Sequence, residues 1–342
     1  MQRANSTSEL GVSSPLIDGW GRVHTSLRIS VTDRCNIRCF YCMPAHNVSF
    51  LPRRQLLSFE EIVRLAQVML ALGVTKFRLT GGEPLVRTDL PQLVGRLSSL
   101  DGVGDLAITT NGILLPQLAR PLRNAGLQRI NISLDTLDSA QFERITRRPG
   151  LAKVLAGIDA AMDVGFDAVR LNAVALHGET EAQVVPLARF ALERNLELRF
   201  IEYMPLDAEG AWDTASVLPG ETIRRLIENE WGPLEPAPRP DPSQPAVDYY
   251  YAGGRGRLGF INPVSEPFCS SCNRLRVTAE GQLRNCLFSL TEWNARDAMR
   301  GGCNNEQLSQ LIRDCVAAKQ PGHGIDDPGF LRPARAMYQI GG

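Results

Sequence analysis

Six short apolar segments, at 27–31, 76–80, 106–109, 129–134, 168–174 and 196–203, alternate with stretches of helical periodicity. Parallel strands need long crossovers, usually helices, so this order predicts an α/β fold built as a parallel barrel or part of one. The helix after the first strand is the clearest. Ser58 and Glu61 form a capping-box pair, Ile62, Leu65, Ala66, Met69 and Leu72 recur at helical spacing, and Gly73 stands where a left-handed cap would end it. Similar helix-to-strand joints at Gly126 and Gly165 lead into the fourth and fifth strands.

Outside this unit the texture changes. Residues 1–22 are polar and aperiodic, which predicts a mobile arm with order beginning near Val23. Between 232 and 247 the prolines at 233, 236, 238, 240, 242 and 245 exclude regular helix and predict an extended connector. Beyond it, 249–251, 258–261 and 275–277 read as strands of a smaller layer packed over one side of the barrel. The expected division is an arm at 1–22, the barrel at 23–231 and a C-terminal region at 232–342.

Basic and acidic residues both number 37, so the formal net charge is zero. No overall field draws such a chain to nucleic acid or to a membrane surface, and any anion site must be local. No apolar run reaches transmembrane length, and the first ten residues lack the layout of a secretory signal; both predict a cytoplasmic protein. Six of the eight cysteines fall into two tight groups, a pattern that in a protein of this kind binds metal rather than forming disulfides. Cys303 and Cys315 stand apart and read as small buried hydrophobes.

The first group, Cys35, Cys39 and Cys42, follows the first strand directly. Three thiolates in eight residues must wrap around something. A structural zinc takes four ligands, whereas a four-iron cluster held by three cysteines leaves one iron open to a small molecule. In a TIM-like barrel the loops after the strands form the active face, and this group lies on the first of them. At this spacing the chain resembles the radical S-adenosylmethionine superfamily. The resemblance implies an incomplete (β/α)6 TIM-like barrel with a β-containing C-terminal region over its open side. It also implies that S-adenosylmethionine chelates the open iron of a [4Fe-4S] cluster, whose electron breaks a carbon–sulfur bond to give methionine and a 5′-deoxyadenosyl radical. Gly81-Gly82-Glu83-Pro84, ending the second strand, resembles the superfamily's GGEP motif and assigns Gly82 and Glu83 to the methionine amino group. Tyr41, Ser133 and Met204 fall on further S-adenosylmethionine contacts, although by residue type alone Tyr41 and Met204 equally read as packing residues.

The second group is Cys269 and Cys272, with Cys286 after a gap of thirteen residues. By spacing alone it equally fits a zinc ribbon completed by Cys303. Arg274 and Arg276 alternate on a predicted strand, so their guanidinium groups share a face beside the metal and suit a polyphosphate. From about Val23 to its end the chain resembles the GTP 3′,8-cyclases of molybdenum-cofactor biosynthesis. That family implies a second three-cysteine [4Fe-4S] cluster facing the guanine base and arginines holding the triphosphate. The radical removes the ribose 3′ hydrogen and the new carbon radical closes onto C8, giving 3′,8-cyclo-7,8-dihydro-GTP. The implied substrate contacts are Arg28, Arg78, Thr109, Arg170, Arg274, Leu275 and Arg276; Arg170 stands where the family commonly has lysine. The resemblance also sends the terminal Gly341-Gly342 pair into the active site in support of catalysis. Implied partners are a low-potential, flavodoxin-like electron donor and a downstream pterin-forming synthase, and a homodimer is compatible with it. Two rival readings are a two-cluster radical enzyme acting on a peptide and a zinc-stabilised binding module without catalysis.

Overall fold

Strands β1 (Ser26–Ser30), β2 (Lys76–Thr80), β3 (Asp105–Thr110), β4 (Arg129–Ser133), β5 (Ala168–Ala175) and β6 (Glu197–Glu202) lie side by side in chain order, all parallel. The computed structural model describes residues 14–341. Helices α1 (Phe59–Ala71), α2 (Leu90–Ser98), α3 (Leu115–Asn124), α4 (Ser139–Thr146), α5 (Leu151–Asp163) and α6 (Val184–Glu193) make the crossovers, and α7 (Gly220–Trp231) follows β6. The expected capping box of α1 is present in both directions: Ser58 N–H donates to Glu61 Oε2 at 2.7 Å and Glu61 N–H to Ser58 Oγ at 3.2 Å. Gly73 has φ +89°, the left-handed turn that stops the helix. Among the described residues no helix is long and apolar enough to cross a membrane.

Each strand sorts its residues by parity. Leu27, Ile29, Phe77, Leu79, Ile130 and Ile132 belong to the hydrophobic core under the helices, while their neighbours Arg28, Arg78, Asn131 and Ser133 line the interior of the barrel. A closed TIM barrel fills its centre with branched apolar side chains; this one lines it with arginine, asparagine and hydroxyls, which leaves room and polar contacts for a ligand.

The C-terminal strands do not form the separate layer expected from the sequence. They extend the same sheet at both edges, in the order β12-β11-β10-β1-β2-β3-β4-β5-β6-β9-β8-β7. Here β7 is Glu235–Pro236, β8 Val247–Tyr251, β9 Arg255–Ile261, β10 Arg274–Val277, β11 Gln282–Arg284 and β12 Trp293–Asn294. An incomplete barrel leaves the N–H and C=O groups of its first and last strands unpaired, and pairing β10 with β1 and β9 with β6 satisfies them. After β12 come helices α8 (Ala295–Arg300), α9 (Asn305–Ala317) and the short α10 (Met337–Ile340).

The expectation of order from about Val23 is also corrected. Leu16 is buried in the main core, Ile17 bridges Val23, and Asp18, Arg22 and His24 are all buried. Their polarity serves an internal network rather than solvent. Residues 1–13 of the predicted arm lie outside the described residues.

Candidate active site

A single cavity of about 460 Å³ runs through the barrel, and all six clustered cysteines line it. Cys35, Cys39 and Cys42 lie beyond the C-terminal end of β1, whereas Cys272 precedes the N-terminal end of the parallel β10, and Cys286 follows β11, which runs antiparallel to β10. The two trios therefore stand at opposite ends of one channel. Cys303 lies outside it, packed against the core, as does the buried Cys315, so a ribbon completed by Cys303 does not form.

Electrostatics distinguish the two ends. Burial pushes the Cys35 and Cys42 thiols up to about 12, with Glu83 adding to the effect on Cys35 and Cys35 to that on Cys42. Burial and then the Asp135 carboxylate also raise Cys39 well above the ordinary thiol value. At the other end burial also raises Cys269, and would raise Cys272. There the guanidinium of Arg274 and the ammonium of Lys319 outweigh it and hold Cys272 down at about 6. A metal binds the thiolate form, so Cys272 is suited to be a ligand as it stands, whereas a metal bound by the first trio would have to displace its protons. Both trios fit a cluster: three soft donors, enclosed and mutually close, with open cavity on the remaining side.

The first end is braced by the Gly-Gly-Glu segment. Gly82 N–H donates to the Thr32 carbonyl and Glu83 N–H to the Arg34 carbonyl, both at 2.8 Å. A Cβ on Gly81 would stand 2.5 Å from Thr32 O, and one on Gly82 2.6 Å from Arg34 O. The glycines thus let this strand end press against the entry to the cysteine loop. Glu83 lines the cavity with its carboxylate already engaged: Oε1 accepts from Leu85 N–H at 2.9 Å and Thr110 Oγ1 at 2.7 Å, and Oε2 from Asn111 N–H at 2.7 Å. Burial nevertheless pushes it up to about 7. Tyr41 donates its hydroxyl to Asp135 Oδ2 at 2.6 Å; Ser133 and Met204 line the same wall.

Arg28, Arg78, Thr109, Arg170, Arg274 and Arg276 all face the cavity. Among the described residues Arg28 and Arg78 have no carboxylate at ion-pair distance; Arg78 reaches only Thr109 Oγ1, at 3.4 Å. Burial, then the neighbouring Arg276, lowers the pKa of Arg28, and burial with Arg28 lowers that of Arg78. Enclosed cations that repel one another are costly unless an anion neutralises them. Arg170 differs, because its Nε donates to Glu197 Oε2 at 2.7 Å while Arg199 Nε holds Glu197 Oε1 at 2.6 Å. Leu275 is corrected: its side chain points the other way, into the hydrophobic core, leaving only backbone to meet a ligand. Gly341 is buried at the end of α10, with its carbonyl accepting from Arg276 Nη1 at 2.6 Å; Gly342 lies outside the described residues.

Several cavity residues escaped sequence reasoning. Asn131 and Asn172 each keep a buried side-chain oxygen without a protein partner. Asp135, two residues beyond the end of β4 and bonded to the cavity-lining Tyr41, had a positional signal, since strand C-termini carry barrel chemistry. Arg129, paired with Asp105 Oδ1 at 2.6 Å, and Arg199 had another in their charge within apolar strands. The segment 241–245, predicted to be a plain connector, lines the opposite mouth, with Asp241 Oδ2 2.6 Å from Lys76 Nζ.

Residues 29–191 match the family description "Radical SAM superfamily", and residues 196–325 match "Molybdenum Cofactor Synthesis C". The chain is 52% identical over 330 residues to a GTP 3′,8-cyclase of Rhodopirellula baltica, covering 96% of this chain and 92% of the relative. It is 45% identical over 331 residues to a GTP 3′,8-cyclase of Mycobacterium sp. strain KMS, covering 96% and 94%. In fold it is similar to Streptococcus suis SuiB bound to S-adenosylmethionine, with a TM-score of 0.60 at 16% identity over 93% of this chain and 78% of that one. Another neighbour is anSMEcpe with bound AdoMet, with a TM-score of 0.56 at 15% identity over 85% and 79%.

Proposed function

Because this chain belongs to the GTP 3′,8-cyclase family of the radical S-adenosylmethionine superfamily, we propose that its two cysteine trios and the arginines between them form the site of that reaction. The protein is a GTP 3′,8-cyclase of molybdenum-cofactor biosynthesis, an enzyme that converts GTP to 3′,8-cyclo-7,8-dihydro-GTP with S-adenosylmethionine and two [4Fe-4S] clusters. The observation that carries the site assignment is one cavity with a cysteine trio at each end and unpaired guanidinium groups along its wall.

When bound, the first cluster and S-adenosylmethionine supply the 5′-deoxyadenosyl radical, and the second cluster supplies an open iron for the base. The chain's own residues hold, orient and shield. Cys35, Cys39 and Cys42 would bind the first cluster, with Tyr41, Gly82, Glu83, Ser133 and Met204 around S-adenosylmethionine. Cys269, Cys272 and Cys286 would bind the second. Arg28, Arg78, Arg170, Arg274 and Arg276, with Thr109 and the Leu275 backbone, would take the triphosphate and sugar. Asn131 and Asn172 present unsatisfied amide oxygens that suit sugar or base donors. The terminal glycine pair would support catalysis from beside Arg276, which holds the Gly341 carbonyl, and enclosure keeps a primary radical away from solvent hydrogen.

In this reading residues 23–231 generate the radical and 232–342 hold the substrate cluster. A flavodoxin-like donor delivers the electron, a downstream pterin-forming synthase takes the product, and the enzyme works in the cytoplasm, as a homodimer. The test is anaerobic turnover of the reconstituted full chain with GTP, S-adenosylmethionine and dithionite. Cyclised nucleotide, with about eight irons and eight sulfides per chain, is expected. Deoxyadenosine without any cyclised nucleotide, or zinc without sulfide, would reject the assignment.

A further inference from the structure

The two cysteine trios have unequal surroundings. Around the first, the closest side-chain donor to Cys35 Sγ outside its own loop is Asn111 Nδ2, at 3.9 Å. Around the second, Cys272 Sγ accepts from Arg274 Nη2 at 3.3 Å and from Lys319 Nζ at 3.5 Å. The same ammonium donates to the Cys272 carbonyl at 3.3 Å and to the Arg274 carbonyl at 3.0 Å. Lys319 is 4% exposed. Four residues on, the backbone at His323 acts on Cys269, opposing the upward push of burial on its thiol. The turn 319–323 therefore forms a collar whose donors face two of the three sulfurs.

The collar is locked from the other end of the chain. Arg22 donates through Nη1 to the carbonyls of Cys269 at 2.8 Å and Pro321 at 3.0 Å, and through Nη2 to that of Gln320 at 2.7 Å. Its Nε is fixed by Asp18 Oδ2 at 2.6 Å, and Trp20 Nε1 donates to the Lys319 carbonyl at 3.0 Å. A planar five-donor fork suits this work, because it can span cysteine loop and collar at once.

We propose that Lys319 tunes the reduction potential of the second cluster and that Arg22 is the positioning residue that keeps Lys319 in place. Hydrogen bonds from a cation to a ligating sulfur withdraw electron density and favour the reduced cluster, so they raise its potential. Among the described residues no cation donates a hydrogen bond to a sulfur of the first trio, where Arg38 acts on Cys35 through its charge only, and the two clusters would thereby be set apart in potential by residues outside the ligand set. The inference rests on the reading that Cys269, Cys272 and Cys286 hold a cluster.

The test is potentiometric electron paramagnetic resonance on the reconstituted full chain, with the second cluster recognised as the signal that responds to GTP and the first as the one that responds to S-adenosylmethionine. In Lys319→Met the reduced-to-oxidised ratio of the GTP-responsive signal at fixed potential should fall about tenfold, a midpoint about 59 mV more negative. Lys319→Arg should restore most of it, Arg22→Met should move it in the same direction, and the other signal should stay put in all three. A wild-type midpoint in Lys319→Met at full iron content, or equal shifts in both signals, would overturn the proposal. If Lys319→Met fails to load its second cluster, Lys319→Gln takes its place, and a wild-type midpoint there overturns it equally. Absence of any GTP-responsive signal from the wild-type protein defeats the two-cluster reading instead.

Discussion

Arg276 Nη1 lies 2.6 Å from the carbonyl oxygen of Gly341, tying the end of the chain to the strand that follows Cys269 and Cys272. The same glycine, at φ +87°, is packed so that a Cβ would stand 2.5 Å from Thr80 Oγ1 and 3.0 Å from Ser30 Cβ, at the ends of β2 and β1. Gly341 thus spans from Arg276 to the strand ends beside the first cysteine loop.

Gly341→Ala meets both a crowded wall and a left-handed backbone, a strain of about 1–3 kcal/mol that the tail can relieve by withdrawing. Cyclisation should fall at least about tenfold while S-adenosylmethionine is still cleaved, with little change in melting temperature. The ratio of cyclised nucleotide to 5′-deoxyadenosine reads this directly; a wild-type ratio would deny the tail a part in shielding the site.

Arg170 shares Glu197 with Arg199, so its guanidinium is held at Nε while its two outer nitrogens remain available. Arg170→Ala should weaken GTP binding by roughly 10–100-fold, the worth of a charge-assisted phosphate contact of about 1.5–3 kcal/mol. Arg170→Lys should lose no more than about fivefold, since charge survives and only the fork is lost. Calorimetry with GTP and, separately, S-adenosylmethionine checks it; equal loss for both ligands would mark a folding defect.

How far the sequence could be read depends on the range of the interactions involved. The strand at 76–80 and helix α1 were legible because their signals, a short apolar segment and a capping box, are local. Pairing of β10 with β1 joins Leu275 to Leu27 across the whole barrel, and no local pattern encodes such a partner; the tail strands were therefore legible as strands but not as sheet edges. The cysteines, Gly82 and the cavity arginines could be found because their residue types are chemically specific. Asp18, Arg22 and Lys319 were missed because charge normally means solvent, and only the folded chain shows that Asp18 holds the Arg22 guanidinium while Arg22 and Lys319 donate to backbone carbonyls and a sulfur.

Lys76 Nζ and Asp241 Oδ2 stand 2.6 Å apart at the mouth of the cavity, each side chain about 40% exposed. Hydrogen bonds from Lys76 and Ser243 hold Asp241 down at about 2. A pair so open to water adds less than about 1 kcal/mol to global stability, so Asp241→Asn should barely change the melting temperature. It should instead free the proline-rich connector, seen as faster limited proteolysis within 232–247 at low salt. Raising salt should narrow the difference, because it screens the wild-type pair as well. Equal cleavage rates at low salt would mean that the prolines alone hold the segment.

His24 gives the fold an acid limit. Its Nε2 lies 3.0 Å from Asp18 Oδ2, while Nδ1 is buried with no partner, so a second ring proton would have no acceptor and would face Lys319 and Arg22. Burial, then the Lys319 charge, hold its pKa down at about 4, against an ordinary 6.5. As pH falls the unfolded chain takes up the proton first, so the stabilisation from neutral His24 is complete above 6.5 and is lost progressively as pH drops toward 4. Asp18 acts lower down: burial opposes its ionisation, but bonds from His24 and Arg22 hold it at about 2 against 3.8, so its contribution goes only below that ordinary value. At pH 5 the His24 effect alone amounts to about 2 kcal/mol. Between pH 7 and pH 5 the unfolding free energy of the full chain, from denaturant titration, should fall by about 2 kcal/mol relative to that of His24→Gln, which cannot be protonated; equal pH dependence in the two would remove His24 as the acid-sensitive group.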